Sequence, residues 1–189
     1  MIKKELRKIY KTKRNALTEQ EIVLFSQQIT QKIKELNIWN KTNFHIFLSI
    51  ESKKEVKTNE LISFLHQQEK QVIVPKINTE ENQLTSCRLL PSTDLIKNKW
   101  EILEPQFCRA VNSLKIEVVF IPLLISDSKG NRVGYGKGFY DKLLATCNPE
   151  VIKVGINFFK PIDSIIKTHL NDVTLDFLVT PRKIYTYNF

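Results

Sequence analysis

The sequence predicts an α/β fold, one domain over residues 1–189 with a mainly parallel, Rossmann-like sheet covered by helices on both faces. Three observations carry that expectation. Near-continuous apolar runs of strand length recur along the chain, segments with apolar residues at helical spacing separate them, and four of the five glycines crowd into one segment behind an apolar run. The 189 residues are 42% apolar and 26% charged, enough for one sizeable core and too apolar for disorder.

In chain order, Ile2, Leu6 and Ile9 recur at helical spacing with Lys3, Lys4, Arg7, Lys11 and Arg14 on the remaining arc, which reads as a short basic helix. Thr18-Glu19-Gln20-Glu21 fits a capping box. Ile22, Phe25, Ile29, Ile33 and Leu36 follow at three- and four-residue steps, predicting an amphipathic helix ending near Asn37. Phe44 to Ile50 and Gln71 to Pro75 read as strands, and between them Thr58 to Gln68 carries Leu61, Ile62 and Leu65 on one helical face. Strand, helix, strand at this spacing predicts a parallel βαβ unit.

A weaker strand covers Leu84 to Leu89, and Pro91 to Gln106 reads as irregular. Ile116 to Pro122 is a buried strand by composition, with further strands at Val151 to Gly155 and Leu175 to Thr180 and helices at Gly138 to Thr146 and Ile162 to Thr168. No repeat, low-complexity linker or domain boundary interrupts the chain.

Lys and Arg number 29 against 20 Asp and Glu, a net charge of +9. That balance admits a polyanionic partner, although a lysine-rich soluble protein needs none. Cys87, Cys108 and Cys147 are widely spaced and form no metal-ligand pattern, so neither a disulfide framework nor structural zinc is expected. The N-terminus is charged from Lys3 onward and no apolar stretch reaches membrane-spanning length, which places the chain by default in the cytoplasm.

Gly130, Gly134, Gly136 and Gly138 fall within nine residues between the Ile116 to Pro122 strand and the helix that follows. Glycines at this density serve positive φ or a ligand that approaches the backbone closely. The position, at the carboxyl end of a strand and the start of a helix, is where α/β sheets hold phosphates. Arg132 and Lys137 add cationic donors. A flexible surface loop is the alternative, but Tyr135, Phe139 and Tyr140 interleave the glycines, unlike a disordered segment. Neither a Walker loop nor the dinucleotide fingerprint matches the spacing.

RVGYGKGFYD, preceded by FIPLLISDSKGN, resembles the signature of the 5-formyltetrahydrofolate cyclo-ligase (5,10-methenyltetrahydrofolate synthetase) family. The segments Lys3 to Arg7 with Arg14, Ile50 to Thr58, Trp100 to Pro105 and Asp176 to Pro181 resemble further family motifs in the same order, so the resemblance spans nearly the whole chain.

The resemblance implies ATP- and Mg²⁺-dependent closure of 5-formyltetrahydrofolate to 5,10-methenyltetrahydrofolate, with release of ADP and phosphate. It implies a catalytic pair, Arg132 and Lys137. The nucleotide site it implies comprises Lys3, Lys4, Glu5, Leu6, Arg7 and Arg14, together with the loop Arg132, Val133, Gly134, Tyr135, Gly136, Lys137, Gly138, Phe139 and Tyr140. Ile50, Glu55, Trp100 and Tyr140 are implied at the folate, and Asp141 and Asp176 at Mg²⁺.

Read by spacing alone, the N-terminal cations form a solvated helix face, Asp141 is a first-turn helix acid, and Glu55 is an exposed loop carboxylate among lysines. Trp100 divides evenly between ring stacking and core packing. His45, His66 and His169 show no ligand spacing and gain no role.

Partners are therefore expected to be ATP and a small folate, for a monomer without nucleic acid or membrane. Another nucleotide- or sugar-phosphate-binding α/β enzyme would share the loop without needing Glu55 or the Trp100 to Pro105 stretch. An RNA-binding module would match the charge, yet no RRM, KH or helix-turn-helix pattern is present.

Overall fold

The computed structural model describes residues 2–187. Two helices, α1 (Lys3–Asn15) and α2 (Glu19–Lys34), lead into strand β1 (Asn43–His45). Helix α3 (Asn59–Gln67) crosses to β2 (Gln71–Asn78), which turns back into β3 (Gln83–Leu89). A small hairpin of β4 (Leu95–Lys97) and β5 (Leu103–Pro105) precedes β6 (Val118–Pro122). A second hairpin, β7 (Ile125–Ser126) and β8 (Arg132–Val133), opens onto α4 (Phe139–Thr146), after which β9 (Ile152–Ile156), β10 (Phe177–Val179) and β11 (Ile184–Thr186) complete the order.

Seven strands form one sheet in the order β11-β10-β9-β6-β1-β2-β3. The inner five run parallel, and the edges β3 and β11 are antiparallel to their neighbours. The chain builds outward from β1 in one direction and from β6 in the other, so strand order reverses between these two. Ligands in open α/β sheets bind in the crevice at the carboxyl ends of such a pair.

Strand alternation divides the core. Phe44, Phe120 and Val154 face α2 and α3 through Ile22, Ile29, Ile33, Leu61 and Leu65. Ile73, Val119, Ile121 and Leu178 face α4 through Leu143 and Leu144. Helices therefore cover both faces, as the apolar runs predict. Helix α1 lies apart, packing Leu6 and Tyr10 onto Leu124, Ile125 and Val133 beside the carboxyl ends of the strands.

Thr18 caps α2 with the full reciprocal box: its hydroxyl accepts from the Glu21 amide while the Glu21 carboxylate accepts from the Thr18 amide. Helix α1 instead buries Leu6, Tyr10 and Arg14, one strict four-residue row, and leaves Ile2 and Ile9 exposed. The Phe44 to Ile50 run pairs only through His45 plus one further bond, Ile46 N–H to Ile73 O. Beyond it the chain folds back, and the Ser49 hydroxyl donates to Val56 O and accepts from the Thr58 amide in place of a ladder.

No helix forms over Ile162 to Thr168. Its backbone serves the β7–β8 hairpin instead, with Ile162 N–H on Ser126 O and Ile166 N–H on the Asp127 carboxylate. The stretch Pro91 to Gln106, expected irregular, contains β4 and β5.

The cysteine expectation is also corrected. Cys87 and Cys108 form a disulfide, with Cα atoms 5.1 Å apart. Residues 109–111 return antiparallel alongside β3, through Arg88 N–H to Arg109 O and Val111 N–H to Ser86 O, which brings the two cysteines together. Sequence separation carries no trace of that return. A reducing compartment would hold the pair as thiols.

His45 in β1 is fully buried, neither ring nitrogen has a partner among the described residues, and burial pulls its pKa down from 6.5 to about 3. The imidazole is therefore neutral in the folded protein, while the unfolded chain takes up its proton near pH 6.5. The unfolded state binds more protons over that interval, so stability falls as pH drops from 6.5 towards 3, by about 1.4 kcal/mol per pH unit from this group. Urea unfolding across that range should show the loss, and His45→Leu should reduce the slope by that amount.

Candidate active site

The cavity of about 440 Å³ sits at the carboxyl ends of β1 and β6, where Phe47 and Leu48 leave β1 and Ile121 and Pro122 end β6. This volume suits a small-molecule site.

One wall is the glycine segment, and Asp127 shapes its start. This carboxylate is wholly buried and accepts four hydrogen bonds: from the Lys129, Asn131 and Ile166 amides and from Asn131 Nδ2, at 2.8–3.0 Å. Four donors offset the cost of burying the charge and fix the β7–β8 turn. The sequence reading passed over Asp127, although an Asp followed by Gly and Asn is a turn signature.

Beyond β8 the chain stays open through Gly134, Gly136 and Gly138. Gly136 has φ +98° and lies under the Arg7 guanidinium, where an added Cβ would stand 3.1 Å from Arg7 Cζ. Arg7 Nε donates to Gly134 O at 3.0 Å. The glycines thus let a cation from α1 lie flat on the loop. Gly138, with φ +68°, caps α4, whose N-terminus faces the cavity.

Arg132 and Lys137 differ in kind. Arg132 is a fixed cation: its side chain is nearly buried, Nη1 donates to Val173 O, and Nη2 donates to Asp141 Oδ1 at 2.7 Å. Burial lowers its pKa, the Asp141 and Asp172 carboxylates oppose that shift, and it stays protonated. Lys137 is exposed on the cavity wall and has no ion pair or hydrogen bond within the described residues.

Glu55, which is 4% exposed, adjoins the glycine segment on the cavity lining. One carboxylate oxygen accepts from the Ile50 amide at 2.9 Å and the other from the Tyr135 hydroxyl at 2.6 Å. That hydroxyl accepts in turn from Arg14 Nη2. Burial raises the pKa of Glu55, and the donors from Tyr135 and Ile50 with the Arg14 and Lys53 charges pull it back. Burial also raises both Tyr135 and Tyr140, which remain protonated donors. The Tyr140 hydroxyl is buried without a partner, and its ring packs edge-on against His45 at 6.0 Å.

These features bring the cations Arg7, Arg132 and Lys137, the glycine loop and the Glu55 carboxylate onto one cavity. The whole of residues 1–181 matches the model of the 5-formyltetrahydrofolate cyclo-ligase family. The chain belongs to that family. It is 32% identical over 184 residues to the 5-formyltetrahydrofolate cyclo-ligase of Haemophilus influenzae, covering 94% of this chain and 95% of that one. The mouse enzyme of the same name is 31% identical over 153 residues, covering 77% and 74%. The NMR structure of Aquifex aeolicus 5,10-methenyltetrahydrofolate synthetase superposes with a TM-score of 0.84 at 28% identity, covering 99% of this chain and 93% of that one.

Within this cyclo-ligase fold, the cavity brings together Lys3, Arg7, Ile50, Glu55 and Asp141 with Arg132, Gly134 and the run 135–140. Other residues named from the sequence lie elsewhere. Lys4 and Glu5 point to solvent from α1, while Leu6 and Val133 pack in the core beside the loop. Arg14 is 4% exposed and lies behind the cavity wall, where its charge serves Tyr135. Trp100 is 47% exposed with the Lys99 ammonium 4.5 Å above its ring, so it neither lines the cavity nor packs in the core.

Asp176 precedes β10 and is therefore at the amino end of a parallel strand, away from the crevice. There it accepts from the Lys153 amide and pairs with the Lys153 ammonium at 2.9 Å. The second aspartate on the cavity is Asp172. Burial opposes its ionisation, but Lys3 and the His169 amide hold its pKa below the usual carboxylate range. Asp172 was not named from the sequence, His169 was given no role, and Glu104 was named only within the Trp100 to Pro105 stretch; all three line the cavity. Asp172 lies four residues before Asp176 in non-helical chain, in a segment whose path depends on the hairpin at Asp127.

Proposed function

We propose that this chain, acting as a monomeric cytoplasmic enzyme folded as one unit, converts 5-formyltetrahydrofolate to 5,10-methenyltetrahydrofolate with consumption of ATP. The observation that carries the reading is the glycine loop, braced by Arg7 and joined through the Tyr135 hydroxyl to Glu55, lining one cavity in a chain of this family. Among the described residues no helix is long and apolar enough to cross a membrane.

The oxygen of an N-formyl group leaves poorly. Its attack on the γ-phosphorus expels ADP and forms an iminium phosphate. The folate's N10 then attacks the iminium carbon, the N10 proton passes to solvent, the carbon–oxygen bond breaks, and phosphate leaves with the oxygen. The protein positions the two substrates and neutralises charge. Lys3, Arg7 and the loop amides hold the phosphates, while Lys137 follows the phosphoryl group. The half-buried Tyr135 and Tyr140 with Glu55 form the folate wall and exclude water.

Among the described residues no group of three or more His, Cys, Asp or Glu side chains could cage a metal. A hydrated Mg²⁺ needs only one or two protein carboxylates, and Asp141 and Asp172 on the cavity lining would supply two. These two would hold it, and when bound it neutralises charge on the phosphate oxygens. Asp176 lies outside this set.

The test is methenyl absorbance with 5-formyltetrahydrofolate, ATP and Mg²⁺, each omitted in turn. Turnover should require all three, and turnover without ATP would refute the reading. Asp141→Asn and Asp172→Asn should each raise the Mg²⁺ concentration for half-maximal rate by about tenfold or more, and Asp176→Asn should leave it unchanged. The reverse pattern would return the metal to Asp176.

A further inference from the structure

Glu104 is a buried carboxylate with an unmet demand. It lies in β5, is 5% exposed, and forms part of the cavity wall. One carboxylate oxygen, Oε1, accepts from the Ile77 amide at 2.8 Å. No cation pairs with it among the described residues. The neighbouring Lys76 ammonium is committed to the carbonyls of Pro105 and Gln106, at 2.9 and 3.0 Å. A single amide donor is thin compensation for a charge at this depth; Asp127 in the same molecule has four donors. Glu55, by contrast, has donors on both oxygens from within the protein. Glu104 Oε2 has no donor among the described residues.

Its surroundings restrict what can approach. Ile77, Leu84, Ile102 and Leu103 line the same part of the wall. The cavity's cations come from α1, the loop after β1 and the glycine segment, so this end is an apolar slot with one carboxylate. A phosphate would be repelled there. A flat heterocycle with N–H donors along one edge would bury its faces against the aliphatic residues and answer the carboxylate with its edge.

We propose that Glu104 is a specificity-determining residue that receives the donor edge of the folate's 2-amino-4-oxopyrimidine ring, an inference that rests on the folate reading above. That ring presents a ring N–H and an adjacent amino N–H side by side, a donor–donor edge matching a carboxylate. Adenine's edge pairs an amino donor with a ring-nitrogen acceptor, whose lone pair would face the negative charge. The slot therefore selects the folate over the base of ATP.

Glu104→Gln is the discriminating variant. Its amide oxygen still accepts from the Ile77 amide, so the hairpin remains tied to β2 and the melting temperature should hold. The facing atom becomes a donor opposed to donors. Calorimetric affinity for 5-formyltetrahydrofolate without ATP should fall by about ten- to a hundredfold, with the Michaelis constant for ATP changed less than about twofold.

The 2-desamino analogue of the folate completes a cycle. It should bind the unmodified protein more weakly than 5-formyltetrahydrofolate does, and that penalty should shrink in the Glu104→Gln protein. Unchanged folate affinity, an effect on ATP alone, or strictly additive losses in the cycle would overturn the proposal and leave Glu104 as a tie for β5. Should the unmodified protein itself neither bind nor turn over 5-formyltetrahydrofolate, the folate reading fails first, in a measurement that involves no Glu104 variant.

Discussion

Lys137→Ala should lower kcat by about 10²–10³ while leaving the melting temperature and the affinity for 5-formyltetrahydrofolate nearly unchanged. Two features make this the clean substitution. Lys137 is exposed, and it makes no hydrogen bond or ion pair within the described residues, so truncation strands no buried partner. It also rises from the glycine loop, so its ammonium can follow charge that moves only during phosphoryl transfer. An interaction made in the transition state and absent before it appears in kcat. Arg132 would give a mixed result, because its guanidinium also anchors Asp141 and the Val173 carbonyl. Stopped-flow methenyl absorbance under saturating substrates measures the loss. A Lys137→Ala protein turning over at the unmodified rate would confine this lysine to the solvated rim.

The sheet was legible because burial on both faces leaves a one-dimensional trace. Ile116 to Pro122 and Gln71 to Pro75 are apolar without alternation, and only a strand covered on both sides tolerates that. The capping box at Thr18 was equally plain, since both of its hydrogen bonds close within four residues. Glycine density located the loop because positive φ excludes most other side chains.

What the sequence concealed depends on contacts distant along the chain. Ile162 to Thr168 has helical periodicity, but Asp127 takes the Ile166 amide, a bond across 39 residues that no local pattern announces. Asp176 was named from the sequence, and Asp172, four residues before it, was not. Strand polarity could have separated them, since a residue that opens a parallel strand lies at the end opposite to the ligand crevice, whereas one in the loop before it can reach across. Glu104 belongs to a hairpin whose two strands are three residues each, below the length at which alternation is readable.

Arg14 is where these two kinds of reading collide, and its replacement should show the larger effect on stability. As a phosphate ligand on a solvated helix face it would contribute little to folding, and Arg14→Ala would raise the Michaelis constant for ATP alone. The structure instead buries it to 4% exposure, in a chain that runs from its guanidinium to the Tyr135 hydroxyl, from there to Glu55, and ends at the Ile50 amide. Glu55 is costly to hold ionised at this depth, and Arg14 supplies part of the charge that offsets it. Arg14→Ala should therefore cost about 2 kcal/mol in urea unfolding, tempered because the Arg14 Nε is itself buried without a partner. Glu55→Gln removes the charge that Arg14 answers, so in that background the cost of Arg14→Ala should shrink by about 1 kcal/mol, the coupling expected within one hydrogen-bonded network. Binding of 5-formyltetrahydrofolate should weaken in both single variants, because Tyr135 and Ile50 lose the carboxylate geometry that places them on the cavity wall. Full additivity of the two stability losses, with ATP affinity alone impaired in Arg14→Ala, would move this arginine back to the nucleotide.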